Sequence, residues 1–487
     1  MNEHIYDACG NLVCTITNIR IDLPENVKLV LNTLYSNGFS AYVVGGCCRD
    51  AILGREPNDW DVATSALPEQ VMEVFNGYEV IPTGLQHGTV TVMVHNQPIE
   101  VTTYRIDGEY SDGRHPDNVT YAVSIEDDLM RRDFTMNAIA YNPIQGFIDV
   151  YGGIDDLRMS TVRCMGKPQN RFKEDGLRIL RALRFAAQLG FRIEDETSIA
   201  IHELKHLLDN ISKERIQSEL TKMLMVERVT EQMMGMLDEY RDVLCQIIPE
   251  IKDMIGFKQE DHYYEFEDVF KHMIYCMGSY YLYCKRDKEW NDIILRLALM
   301  LHDIGKPHCH SVNERGVQSF KGHANVSAEM AYKILKDLKF SNEIVNGVTQ
   351  LVKYHEFNFD SDVHPRVSVK KLLNEIGETQ LRRLILLQRC DLSGQYLYLT
   401  DNRRLCFVQM AEDCLEEVIE NDECYSLKQL AVNGDDLIEA GVPQGQVLGL
   451  FLDILLDKVV KGEAENDKEA LLDVVRQLKI EIVLGSD

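Results

Sequence analysis

The hydrophobic period of this chain changes once, and that change most constrains what it can fold into. Between Tyr42 and Val150, short β-rich runs at Tyr42–Val44, Trp60–Ala63, Thr89–Val94 and Ile99–Tyr104 alternate with Gly, Pro and Asn turns. After Phe172 the residues Leu177, Leu180, Leu183 and Ala187 recur at helical spacing, and nearly everything beyond reads as helices joined by short turns. The expected fold class is α+β: a small mixed α/β head followed by a mainly α-helical neck, body and further helical domain. At 487 residues the chain exceeds what one hydrophobic core fills, about 250–300 residues, so several domains are expected.

The formal net charge of −27 argues against indiscriminate nucleic-acid binding, because phosphate needs local positive charge. A local exception runs from Arg158 to Arg184, where Arg158, Arg163, Lys167, Arg171, Lys173, Arg178, Arg181 and Arg184 stand against only Glu174 and Asp175. The acidic N-terminal segment has no secretory layout. The apolar stretches Ile293–Leu301 and Val447–Leu456 are interrupted by Arg296 and Asp453 and fall short of a membrane span. Thirteen cysteines without CxxC spacing read as reduced, mostly buried thiols. A cytoplasmic protein without membrane attachment is expected.

Three segments of the head carry chemistry. Asp59 and Asp61 flank Trp60, and on a strand residues i and i+2 share a face, so both carboxylates would converge while Trp60 and Val62 turn to the core. Two hard oxygen ligands so placed suit Mg²⁺. Upstream, Gly45 and Gly46 join a strand to a helix start, where backbone N–H groups can meet phosphates, and Arg49 adds a charged fork. In Ile99-Glu-Val-Thr, alternation sends Ile99 and Val101 to the core and leaves Glu100 on the other face, where it could complete a two-metal site or be a plain exposed strand glutamate.

The segment opening at Glu174 reads as a helix on which Glu174 and Arg178 pair at i,i+4, with Asp175 alongside at i,i+3 from Arg178. Cytosine and adenine both present an exocyclic amine beside an unprotonated ring nitrogen. An Asp acceptor next to an Arg donor accepts these two bases and rejects uracil and guanine.

These segments together resemble the nucleotidyltransferase class shared by bacterial CCA-adding enzymes and bacterial poly(A) polymerases. The resemblance rests on Gly45-Gly46-x-x-Arg49-Asp50, Asp59-x-Asp61, Thr83-Gly-Leu-Gln-His-Gly-Thr-Val, Asp128-Leu-Met-Arg-Arg-Asp-Phe-Thr-Met-Asn-Ala, Tyr151-Gly-Gly, Glu174-Asp-Gly-Leu-Arg-Ile-Leu-Arg and Ser212-Lys-Glu-Arg-Ile, and covers roughly residues 25 to 225. It implies an enzyme acting on the tRNA 3′ end with CTP and ATP, and not on DNA. It also implies Asp59 and Asp61 at the catalytic metal, where the alternation read above could add Glu100; Arg131, Arg132 and Asp133 against the ribose with Asn137 beside them; Arg181 and Arg184 on nucleotide phosphates; and Gly152-Gly153 as a hinge. Gly176 departs from the proline usual in that class, and a looser helix start is expected. His87-Gly-Thr-Val-Thr-Val and the long loop Arg105-Ile-Asp-Gly-Glu-Tyr-Ser-Asp-Gly-Arg-His-Pro look like the CCA-adding branch. Poly(A) addition, addition of the terminal A alone, and a hydrolase with a non-catalytic RNA-binding head are the alternatives.

Eight of the fourteen histidines fall between 262 and 364, far more than that stretch's share of the chain. Leu301-His-Asp-Ile-Gly-Lys resembles the signature of HD-type phosphohydrolases, and His272, His302, Asp303, His323, His355 and Asp391 follow that family's order. The resemblance implies a metal-dependent hydrolase, and imidazole-rich ligation favours a transition metal such as Mn²⁺, Ni²⁺ or Co²⁺ over Mg²⁺. His308-Cys309-His310 reads instead as a surface turn. The expected division is an extension at 1–24, a transferase head at 25–160, a helical neck at 161–250, an HD domain at 255–395 and a helical tail at 396–487, in which Leu405 to Val418 is an amphipathic packing helix.

Overall fold

The computed structural model describes residues 3–6, 12–16, 20–108, 119–226, 231–259, 268–284, 292–314, 316, 318–359, 365–395 and 403–484. Contacts divide the chain into two compact units, one of residues 1–252 with 337–340, the other of 253–336 with 341–487. The helical tail thus clusters with the histidine-rich region. Among the described residues no helix is long and apolar enough to cross a membrane.

The first unit is built on a seven-stranded mixed sheet. Its strands are β1 (Ala41–Val44), β2 (Asp61–Thr64), β3 (Glu79–Gly84), β4 (Thr89–Val94), β5 (Gln97–Thr103), β6 (Ala140–Asn142) and β7 (Gly146–Ile148), in the order β7-β6-β1-β2-β5-β4-β3. The one parallel pairing is β2 with β5, and it aligns Asp61 with Glu100 and Val62 with Val101. The alternation read in the sequence holds on β5: Ile99 and Val101 are buried and Glu100 is exposed. Val43, Val62, Val90, Val92 and Val101, all fully buried, carry the core under these strands.

Two expectations need correction. β2 starts at Asp61 and not at Trp60, so Asp59 lies in the preceding connection and Trp60 is half-buried instead of a core residue. The helix expected from Glu174 is two helices. α1 (Pro168–Glu174) ends at Glu174, Asp175 is extended, and α2 (Leu177–Leu189) begins after Gly176. Gly176 is closely packed, since a Cβ there would lie 3.0 Å from Leu207 Cβ and 3.1 Å from its carbonyl oxygen. Gly153, half of the expected hinge pair, is held tightly. Its Cβ would lie 2.2 Å from the Thr135 carbonyl oxygen, and its N–H donates to Asp149 at 2.7 Å.

The second unit is a helical assembly in which α3 (Val269–Cys284), α4 (Ile293–Leu301), α5 (His323–Asp337), α6 (Asn342–Tyr354) and α7 (Glu378–Gln395) supply the histidine-rich centre. In α4 every residue from Ile294 to Leu301 is buried, Arg296 included, so this short apolar stretch is a core helix. The tail helix Arg403–Glu420 buries Val408, Ala411, Leu415 and Val418 along one stripe, as its amphipathic pattern predicts.

Candidate functional sites

In the first unit the carboxylates come together by sheet register. Asp61 and Glu100 sit side by side on parallel strands, and residues so paired point to the same face. Burial raises the Asp61 pKa and Asp59 adds to it, while Arg132 opposes the rise. Glu100, though its side chain reaches solvent, is likewise raised, by partial desolvation against the sheet first and then by Asp61 and Asp59. Asp61 and Glu100, with Asp59 in the preceding connection, make a carboxylate set whose chemistry would fit a hard divalent ion.

The glycine turn adjoins this face because Val44, paired with Asp61, runs directly into it. Gly45 has φ of +81° and caps the short helix Gly46–Ile52. Its α-hydrogen faces Arg132, whose Nη1 would be 2.5 Å from any Cβ there. A side chain would therefore displace the guanidinium that moderates Asp61.

From this turn a chain of polar contacts reaches α2. Arg49 pairs with Asp50 at 2.9 Å and donates to Asn137 Oδ1 at 2.8 Å. Asn137 Nδ2 donates to Asp133 Oδ1 at 2.9 Å, and Arg181 Nε donates to Asp133 Oδ2 at 2.8 Å. Burial pushes the Asp133 pKa upward, but Arg181 and Asn137 outweigh it and hold the carboxyl well below the usual range. Arg131 and Arg132 lie nearby on the buried Asp128, at 2.9 and 3.5 Å. Arg49, Arg181 and Arg184 all approach the Phe185 ring, at 4.9, 5.4 and 4.0 Å from its centre.

The residues expected to read the base are each held by a partner. Arg178, 8% exposed, donates to Glu174 Oε2 at 2.5 Å, and Glu174 also pairs with Arg171. Asp175 accepts from the Leu177 N–H at 3.0 Å and pairs with Arg215 at 2.7 Å. Arg184 is committed to the buried Glu219 at 2.7 Å, and burial lowers its pKa to about 10. Sequence reading missed Arg215 and Glu219 and took Arg171 only as part of the basic stretch. Arg215 had a signal, since it belongs to the Ser212-Lys-Glu-Arg-Ile motif.

In the second unit, all six expected ligands converge. His272, His302 and Asp391, with Cys276, offer ligand atoms within 4.8 Å of one another, and so do Asp303, His323 and His355. Asp303 joins the two groups. Its Oδ2 is 3.4 Å from Nε2 of both His272 and His302, and its Oδ1 is 3.0 Å from His323 Nε2 and 3.5 Å from His355 Nε2. His302, His323 and His355 each place Nδ1 on the carbonyl oxygen three residues earlier, at 3.0, 3.0 and 2.7 Å. Donating Nδ1–H there leaves each Nε2 as a lone pair aimed inward, the arrangement of metal-ligating histidines. His323 Nε2 and His355 Nε2 are 3.1 Å apart, and two inward lone pairs at that distance call for a cation.

The surrounding acidic groups favour the protonated form of two of these imidazoles, so a metal would bind there in place of a proton. Burial opposes charge on His272, yet Cys276 and Asp391 raise its pKa to about 9. His302 is raised by Asp303 despite burial, and Asp391 is held low by His272 and His302 despite burial. Gly305 lets α5 approach, since its Cβ would be 2.6 Å from the Ser327 nitrogen, and Lys306 pairs with Asp303 at 2.6 Å. His308 is exposed and 3.4 Å from Asp253, a surface position as expected. His262 and His364, and the loop residues 109–118, lie outside the described residues.

A sheet-borne carboxylate set beside a glycine-started helix defines a nucleotidyltransferase, and comparison with known proteins agrees. The "Poly A polymerase head domain" model matches residues 41–163 and the "tRNA nucleotidyltransferase domain 2" model residues 318–475. The CCA-adding enzyme of Enterococcus faecalis is 33% identical over 449 residues, covering 92% of this chain and 94% of that one. The CCA-adding enzyme of Limosilactobacillus fermentum is 31% identical, covering 93% and 97%. The solved structure of the Bacillus stearothermophilus CCA-adding enzyme in complex with CTP aligns with a TM-score of 0.67 at 27% identity, over 95% of this chain and 98% of that one. The chain belongs to the CCA-adding enzyme family.

Proposed function

We propose that this chain rebuilds the 3′ end of tRNA, adding C, C and A from CTP and ATP without a nucleic-acid template. The observation that carries the reading is the pairing of Asp61 with Glu100 on adjacent strands, next to the Gly45-Gly46 turn, in a chain that follows CCA-adding enzymes along most of its length. Asp59 and Asp61, with Glu100, would hold Mg²⁺, which when bound supplies positive charge to the nucleotide phosphates and the attacking tRNA hydroxyl. The Gly45-Gly46 turn would bring the N–H groups of the helix start to the triphosphate, with Arg49 beside them, while the Gly45 N–H itself donates to the Ile139 carbonyl at 3.1 Å. Arg131, Arg132, Asp133 and Asn137 shape the ribose side.

Asp175 accepts from the exocyclic amine and Arg178 donates to the ring nitrogen of C or A; Arg215 and Glu174 fix their orientation. Arg181 and Arg184, already paired with Asp133 and Glu219, add a positive field for phosphates and not free binding groups. The test offers tRNA ending before the first C, after C and after CC, with each nucleoside triphosphate in turn. The reading requires C, C and A in those three cases and no U or G in any. Repeated A addition to every end would identify a poly(A) polymerase, and addition only after CC an A-adding enzyme.

The convergence of His272, His302, Asp303, His323, His355 and Asp391 favours a second activity. These residues would hold a transition metal, Mn²⁺, Ni²⁺ or Co²⁺, which supplies Lewis-acid charge at a phosphate. The substrates are phosphomonoesters or 2′,3′-cyclic phosphates, such as those at damaged tRNA ends.

A further inference from the structure

Helix α3 places one group in the histidine centre that the HD-type pattern does not contain. Cys276 follows His272 by one turn and is fully buried. Its Sγ is 3.4 Å from Nε2 and 3.6 Å from Nδ1 of His272, and it shares the 4.8 Å cluster with His302 and Asp391. A buried cysteine is ordinarily a small apolar filler among apolar neighbours. Here the sulfur faces two imidazoles and a carboxylate instead.

Its position is built into the helix crossing. Gly394 on α7 meets Cys276 directly, and a Cβ there would come within 2.6 Å of the sulfur and 3.0 Å of the Cys276 nitrogen. Gly394 lies three residues after Asp391, and Cys276 four residues after His272. The same close approach that sets Asp391 Oδ1 2.9 Å from His272 Nε2 therefore seats the thiol.

We propose that Cys276 Sγ is a metal ligand. With His272, His302 and Asp391 it completes a four-ligand set of two nitrogens, one oxygen and one sulfur, which selects a thiophilic ion of the zinc and cobalt type. On coordination the thiol gives up its proton and the sulfur–metal bond forms in its place. Asp303, His323 and His355 offer three harder ligands and leave positions open. The two halves are thus unequal, one closed and holding its ion tightly, the other open to exchange. The inference rests on reading this centre as a metal site.

Cobalt reports the sulfur directly, through a thiolate-to-cobalt charge-transfer band in the near ultraviolet that imidazole and carboxylate ligands do not give. The full-length protein is stripped with a chelator and titrated with Co²⁺, alongside Cys276→Ser, with CCA addition under Mg²⁺ checking that both are folded. The wild type should develop the band as the first equivalent binds, and Cys276→Ser should lack it while still showing visible cobalt bands. Visible bands alone in the wild type, or an ultraviolet band unchanged in Cys276→Ser, would overturn the thiol ligand and leave the histidine site standing. No cobalt uptake by the wild type would overturn both.

Discussion

Asp61 and Glu100 occupy paired positions on the only two parallel neighbours in the seven-stranded sheet, so their carboxylates share one face while Val62 and Val101 beside them lie in the core. Each is raised above its ordinary pKa, by desolvation and by neighbouring carboxylates. A raised carboxylate contributes stability below its unfolded value, and that contribution is lost as pH rises through the folded pKa. At neutral pH the paired carboxylates are therefore a liability that a bound Mg²⁺ would relieve. Glu100→Gln should melt higher than wild type without Mg²⁺ above about pH 4.3, the ordinary glutamate value. It should also need more Mg²⁺ for half-maximal nucleotide incorporation. An unchanged Mg²⁺ requirement would make Glu100 a bystander.

Arg178 is buried against Glu174 and, on the proposed reading, carries the donor for the ring nitrogen. Arg178→Ala should weaken CTP and ATP use by about 1–3 kcal/mol, the cost of a lost bidentate base contact, and admit UTP. Arg178→Lys should recover little, because a point charge cannot replace the planar fork. Selectivity among the four triphosphates that stays at the wild-type level would place base choice elsewhere.

Asp133 ties Asn137 to Arg181 and is held ionised well below the usual carboxylate range, since those partners outweigh its burial. A depressed pKa contributes stability above the unfolded value, about 3.9, that is lost as pH falls toward the folded one. Asp133→Asn should destabilise the protein at pH 7 by about 1–3 kcal/mol. That is less than the ~3–5 kcal/mol of a fully buried broken pair, because Arg181 keeps 33% of its side-chain exposure. Melting curves should converge as the pH drops below about 4; a difference independent of pH would remove the ion pair as its cause.

The two candidate metal centres draw on different ligands, carboxylates on and beside strands in one and imidazoles with two carboxylates in the other. A His302→Ala, Asp303→Ala double variant should lose hydrolysis of 2′,3′-cyclic AMP with Mn²⁺, Ni²⁺ or Co²⁺ yet keep CCA addition with Mg²⁺. Hydrolysis that survives the double change would assign it to other residues.

Much of this was legible because the signals are local. Alternation in Ile99-Glu-Val placed Glu100 opposite the core, and the order of the histidines anticipated six converging ligands. The break at Asp175–Gly176 was hidden because Leu177, Leu180 and Leu183 extend an unbroken helical period, and Leu207, against which Gly176 packs, is remote in sequence. Glu219 as the partner of Arg184 was invisible for the same reason. Cys276 did carry a signal, its i,i+4 spacing from His272, but an apolar helix offers a cysteine an ordinary core role that masks it.

The central claim, that the register-paired carboxylates run nucleotide transfer, is tested most directly by Asp61→Ala. Labelled CTP incorporation into tRNA lacking its CCA end is measured on folded, CTP-binding protein. The account predicts a fall of at least ~10²-fold, the size of losing one preorganised charge-stabilising group. Near-wild-type incorporation by the folded variant would contradict it.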